Sequence, residues 1–262
     1  MLTCDNIVIL FFIYSFVGYL CEVVYCSAGQ KRLVNRGFLY GPYLPIYGSG
    51  ALAVLLTVGR FQNHWYLVFI GGVLLTSTIE YFSSWALEKL FDVKLWDYST
   101  YPLNINGRVC ALNSSLFGIL SLVVVYLVHP RVMALLNKIP QMYFRYITEF
   151  ILVIFAVDIT LSVLKYIDFK KALRVAREKS KAMELRLEQI IKEAPTTERL
   201  EAFKARIAEE KAEFVKEYSK KYRSIFNNNP GLSSKKSDIQ LQLLNLKLSI
   251  AEKKSKLKEK LK

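Results

Sequence analysis

The chain has 262 residues, 53% of them hydrophobic, and carries 36 Lys/Arg against 22 Asp/Glu for a formal net charge of +14; its mean hydropathy is +0.24. That balance excludes an ordinary water-soluble domain, which would show more charge and fewer unbroken apolar runs. The charge is also uneven: residues 1–165 hold 11 Lys/Arg and 8 Asp/Glu, whereas residues 166–262 hold 25 and 14, so two regions meet different solvents.

A bilayer core about 30 Å thick needs about 20 mainly apolar residues as helix. In chain order, the runs predict spans over about Asn6–Tyr25, Tyr43–Val58, Trp65–Ala86, Val109–Val128 and Phe144–Lys165. No basic n-region or small-x-small site marks the first run for cleavage, so it is expected to remain as a helix. The second run is short and lies among Pro42, Pro45, Gly48 and Gly50. It reads either as a full span or as a broken, re-entrant helix, a backbone that survives at membrane depth only when protein or water satisfies it. The expected fold is an all-α integral membrane protein: about five transmembrane helices over 1–165 and a basic helical tail over 166–262.

Past Lys165 the pattern becomes amphipathic. Phe169, Leu173, Ala176, Met183, Leu187, Ile190 and Ala194 follow a 3,4 spacing. A second helix is expected from Thr197 through Ile225 and a third carrying Ile239 to Leu257, with Asn227–Gly231 breaking the chain between them. Such stripes suit coiled-coil packing, within a hairpin of this chain or against another chain. A tail this basic belongs on the cytoplasmic side, close to an anionic leaflet. Five spans then place the N-terminus outside. The loop with Lys31, Arg32 and Arg36 and the loop with Lys89, Lys94 and Arg108 fall inside, while Arg131, Lys138 and Arg145 run against the rule. The tail lacks the interleaved aromatics and glycines of a nucleic-acid binder.

Cys4, Cys21, Cys26 and Cys110 form no CxxC pair or Cys/His cluster, so they read as packing residues, with no disulfide framework, metal or cofactor implied. Charged residues inside spans cost roughly 2.5–3.5 kcal/mol at a helix centre, which singles out Glu22, Glu80, Glu149 and Asp158. Glu22 shares a helix face with Tyr14 and Gly18, and Glu80 with Gly72, Thr76 and Ser84. Both stripes should turn inward, either for structural pairing with an Arg or for function. Glu149 reads as interfacial, and Asp158, on one face with Ser162 and Lys165, as a structural partner of that lysine. The segment Asn35–Ala51 is dense in Gly and Pro and could offer backbone groups to a ligand, as broken helices do in transporters. Downstream of Trp96-Asp97-Tyr98-Ser99, Asn106-Gly107 signals a turn. Arg108 then opens a helix bearing Asn113, Ser114 and Ser115, a setting that favours an anion. The topology collects Glu22, Arg36, Glu80, Asp97, Arg108 and Asn113 in the cytoplasmic half as a candidate substrate-binding site.

The stretches Tyr14–Glu22, Asn35–Ala51, Trp96–Ser99, Gly107–Cys110, Asn113–Ser115 and Gly118 resemble a bacterial family, the ABC-transporter permeases of type IV, also called CmpB-like. The Asn-Arg-Gly-Phe stretch followed by Gly-Pro-x-x-Pro-Ile-Tyr-Gly is its most specific part. The resemblance covers roughly residues 8–165, leaves the tail outside, and departs at Tyr19, where Trp would be expected. It implies a permease subunit. Three functions are therefore weighed: a transport component binding or moving a small solute, working with a separate ATPase subunit or self-associating through its tail; a membrane-embedded enzyme acting on a lipid or amphiphile with a carboxylate base; and a scaffold recruiting a partner through the tail. The chain has no Gly-x-x-x-x-Gly-Lys-Ser/Thr loop, and its histidines, His64 and His129, lie near outer span ends. Transport is the expectation.

Overall fold

The computed structural model describes residues 3–31, 34–192, 209, 217–218 and 220–233. The predicted helix from Thr197 falls mostly outside these residues, and the one carrying Ile239 to Leu257 falls entirely outside them.

Helix α1 (Cys4–Gln30) starts where Thr3 Oγ1 accepts the Asn6 amide at 3.3 Å and ends at Lys31 in a left-handed conformation, φ 48°. Helix α2 spans Pro45–Thr57, α3 spans Trp65–Phe91, and a 3-10 turn at Gly59–Phe61 joins them. Strands β1 (Asn104–Ile105) and β2 (Val109–Cys110) form an antiparallel hairpin pairing Asn104 with Cys110 and Ile105 with Val109. Its turn has Asn106 at φ 54° and Gly107 at φ 66°, the left-handed pair that Asn-Gly supplies at least cost. Helix α4 (Ala111–Val123) runs through a π-helical turn (Val124–Val128) into α5 (His129–Leu136). The fourth span is thus longer than the sequence predicts. Pro130 lacks an amide and its ring displaces the carbonyl one turn back; the wide π turn absorbs that and lets the helix continue. Helix α6 runs unbroken over Met142–Lys192, and α7 over Arg223–Asn228.

Among the described residues, four helical stretches are long and apolar enough to cross a bilayer: Cys4–Gly29, Trp65–Phe91, Ala111–Leu136 and Met142–Glu178. In each, only 17% to 28% of the most apolar window is buried inside the protein. The outward face, with Val24, Leu74, Phe150 and Val153 exposed, would be untenable in water and fits hydrocarbon.

The predicted second span is a broken crossing. With 13 residues, α2 is roughly 20 Å long, short of the bilayer core. At one end of the bundle, Leu52 and Leu55 of α2 pack on a cluster of Ile9, Leu10, Tyr14, Leu136 and Phe144. At its start, Leu44 N donates to Ser15 O, midway along α1, at 3.0 Å. The other half of the crossing is the irregular stretch 34–44, three of whose amides bond side chains of neighbouring elements: Val34 to Ser27 Oγ at 3.0 Å, and Tyr40 and Gly41 to the Asp158 carboxylate at 2.9 and 2.7 Å. Asp158 also accepts from the Tyr43 hydroxyl and, at 2.9 Å, from Ser162. The expected ion pair with Lys165 is not made. That ammonium lies 4.6 Å from the Tyr40 ring centroid, because the backbone of the broken crossing occupies the carboxylate first.

The opposite end, called here the tail end, is closed by the 92–110 loop and by the chain folding back. Tyr222, Ile225, Phe226 and Leu232 share one core with Phe91, Val93, Leu95, Tyr166 and Phe169. A two-way backbone bridge links Lys94 and Ser233 (N to O 2.7 and 3.0 Å).

Candidate functional site

Beneath the broken crossing lies a cavity of about 400 Å³, within the range of small-molecule sites. Its walls come from the irregular stretch and the start of α2, from α3, α4 and α6, and from the 92–110 loop. Asn229 of the returning chain also contributes. Most of the lining is apolar.

Three of the residues singled out from sequence meet there. Glu22 of α1 pairs with Arg36 Nε at 3.3 Å and accepts from Tyr47 Oη at 2.5 Å. Glu80 of α3 is 3% exposed; its Oε1 accepts from Tyr98 Oη at 3.2 Å, while Oε2 has no hydrogen-bond partner. Tyr98 sits outside the spanning helices. Burial, and then the carboxylates of Glu80 and Glu22, push its phenol well above the ordinary range, so it stays a hydrogen-bond donor. Glu22 therefore has the arginine partner that a structural role requires, and Glu80 has none among the described residues.

The remaining candidates lie beside the cavity. Arg108, 5% exposed, binds Glu88 at 2.5 Å with its guanidinium carbon 5.3 Å from the Tyr81 ring centroid, and its carbonyl accepts from Trp96 Nε1 at 3.1 Å. Its charge is thus paired with Glu88 through Nη2, while Nε and Nη1 are buried without a hydrogen-bond partner among the described residues. Asp97 fastens the loop to the returning chain, accepting from Ser99 N at 3.1 Å, from the Ser99 hydroxyl and from Ser233 Oγ at 2.7 Å, with Lys94 Nζ 3.8 Å away. Asn113 is half-buried in the first turn of α4 and does not line the cavity. Glu149 makes an exposed pair with Arg145 at 3.0 Å.

Sequence reasoning missed Tyr47, Tyr98, Glu88 and Asn229. Tyr47 and Tyr98 sit inside the two segments already marked by their Gly/Pro content and by Trp96-Asp97, so position hinted at them. Nothing local marks Asn229, whose Nδ2 donates to Tyr166 Oη at 3.0 Å across 63 residues of sequence.

Partial burial of Asp97 opposes ionisation, but the Ser99 and Ser233 hydrogen bonds and the nearby Lys94 charge outweigh it and hold the carboxyl below the usual range. A carboxylate depressed in the folded state adds stability that is complete above its unfolded pKa and is lost as pH falls through the folded value. The Ser233 attachment is therefore expected to hold at neutral pH and to weaken only below the ordinary Asp value of about 3.9. Hydrogen exchange of the Ser233 amide, followed downward from neutral pH and corrected for the intrinsic rate, should show protection falling in that acidic window. Protection that instead fell near neutrality would reject the assignment.

Apolar helices with lipid-fit faces, one broken crossing and a mixed apolar–acidic cavity define a polytopic α-helical membrane protein. The chain belongs to the family described as Putative ABC-transporter type IV, whose model matches residues 9–163; it is an ABC-transporter-related membrane protein. No curated protein and no solved structure matches it.

Proposed function

We propose that this chain is the membrane component of a small-solute transporter, a permease-like subunit whose solute occupies the cavity beneath the broken crossing. The observation that carries the reading is Glu80: a carboxylate buried among apolar walls, with one oxygen unbonded, on a residue that lines a space of ligand size. A buried polar group left without a partner costs about 1–3 kcal/mol, and a ligand donor would recover that cost. The irregular backbone of residues 34–44 beside the cavity suits a site that must change shape as solute passes. In this reading the bundle end bearing Arg36, Lys94, Arg108 and Lys170 faces the cytoplasm, the N-terminus lies outside, and the chain works with a separate ATPase subunit or self-associates through its tail.

The test is to fill the space. Ser83 is a small cavity-lining residue on α3, and Ser83→Trp would occupy much of it. Small molecules retained by the protein after purification from its native membrane should be depleted at least tenfold in Ser83→Trp, as read by mass spectrometry. Identical retained sets from a folded variant would reject the cavity as a solute site.

A further inference from the structure

Taking the cavity as the solute site, its charges and rings indicate which chemistry it selects. Three ionisable residues of formal charge line it: Glu22, Arg36 and Glu80. Arg36 and Glu22 compensate one another at 3.3 Å, and the neighbouring guanidinium of Arg108 is bound to Glu88. This leaves Glu80 as the acidic group with a free acceptor, Oε2. An anion entering here would meet two carboxylates and an arginine already engaged. A neutral polar molecule would find few partners beyond Ser83, since Asn229 Nδ2 and the hydroxyls of Tyr47 and Tyr98 already donate elsewhere and most of the remaining wall is apolar. Six aromatic side chains line the same space: Phe38, Tyr47, Trp96, Tyr98, Phe117 and Phe155. Ring faces attract cations through their quadrupole, most strongly when water is excluded. A buried carboxylate inside such a set of rings is an arrangement suited to an organic cation with an apolar body.

We infer that the cavity binds an apolar organic cation, with an amine head group donating to Glu80 and its hydrocarbon or aryl portion packed on the aromatic wall. The hydroxyls of Tyr98 and Tyr47 hold the two carboxylates in place, Tyr98 on Glu80 and Tyr47 on Glu22. Glu80 is thus the specificity-determining group, and Arg36 keeps Glu22 from acting as a second cation site.

The experiment uses the full chain in zwitterionic nanodiscs, with protein-free nanodiscs as the partition blank, and three probes sharing one skeleton: 4-phenylbutylamine, 4-phenylbutanol and 4-phenylbutyrate. Equilibrium dialysis at neutral pH should show the amine bound at least tenfold more tightly than the alcohol, and the acid most weakly. Glu80→Gln should reduce the amine-over-alcohol preference to below threefold, and Glu80→Asp should restore most of it. If Glu80→Gln does not fold, the three-probe order on the unaltered chain decides alone. Equal binding of amine and alcohol, or tightest binding of the acid, overturns the cation assignment while leaving the cavity as a solute site. Saturable binding of none of the probes overturns the assignment too, and Ser83→Trp retaining the same native molecules would then remove the solute site itself.

Discussion

Asp158→Ala is expected to lower the melting temperature of the purified protein by roughly 10 °C, the largest stability loss of any single substitution considered. The carboxylate accepts four hydrogen bonds, from the amides of Tyr40 and Gly41 and the hydroxyls of Tyr43 and Ser162. It is only 8% exposed. Alanine would strand two backbone amides at membrane depth, at about 1–3 kcal/mol each, and would release two hydroxyls as well. A total of roughly 3–5 kcal/mol corresponds to about 10 °C for a protein of this size. The damage should extend to the cavity, because Phe38, Leu39 and Leu44 form part of its wall and flank the tethered residues. Asn at this position is expected to rescue little, since its amide nitrogen would confront donors where a second acceptor is required. Thermal denaturation followed by a thiol-reactive dye would measure this through Cys110, which is buried in the folded chain. A melting temperature within two degrees of the unaltered protein would mean that the broken crossing is held by something other than Asp158.

Much of the architecture is legible in the sequence because its signals are local. Four apolar runs predict the four long helices to within a turn or two at most of their ends, and Asn106-Gly107 forms the hairpin turn that its residues require. The break in the second crossing follows from Pro42, Pro45 and the glycines that surround them. What stays hidden is long-range. Periodicity on α6 puts Asp158, Ser162 and Lys165 on one face, which suggests a pair within the helix. It is silent about Tyr40 and Gly41, more than a hundred residues away, which compete for the same carboxylate. The fourth apolar run reads as ending near Val128, because the π turn that carries the helix past Pro130 leaves no mark in composition. Within the site, inward-facing Glu22 and Glu80 follow from their small-residue stripes, whereas the difference between them does not. Among the described residues Glu22 has its arginine and Glu80 has none, a fact of loop placement that spacing cannot encode. Asn227–Gly231 reads correctly as a helix stop, but its return onto Tyr166 and Lys94 rests on tertiary contacts alone.

Gly48→Ala is expected to destabilise the protein by about 1–3 kcal/mol, and Gly50→Ala, two residues on in the same helix, is expected to be neutral or stabilising. Local propensity cannot produce that contrast, since exchanging Gly for Ala inside a helix gains up to about 1 kcal/mol at either site. The difference lies in what a new methyl group would meet. At Gly50 the nearest atom is Thr76 Cγ2 at 3.5 Å, an ordinary van der Waals contact. At Gly48 it would press on Ser15 Oγ and stand 2.5 Å from Phe11 O, a backbone carbonyl of α1 that no rotamer change can remove. Helices α1 and α2 would have to separate, which strains the adjoining bond from Leu44 N to Ser15 O and shifts Tyr47 away from Glu22. Close helix approach through small residues is how membrane helices gain packing energy where lipid offers no hydrophobic drive. The two variants, measured side by side by thermal denaturation, should differ by several degrees with Gly48→Ala the lower. If they melt together, the α1–α2 contact is looser than its geometry requires, and the broken crossing lacks the rigid support that a cavity beneath it needs.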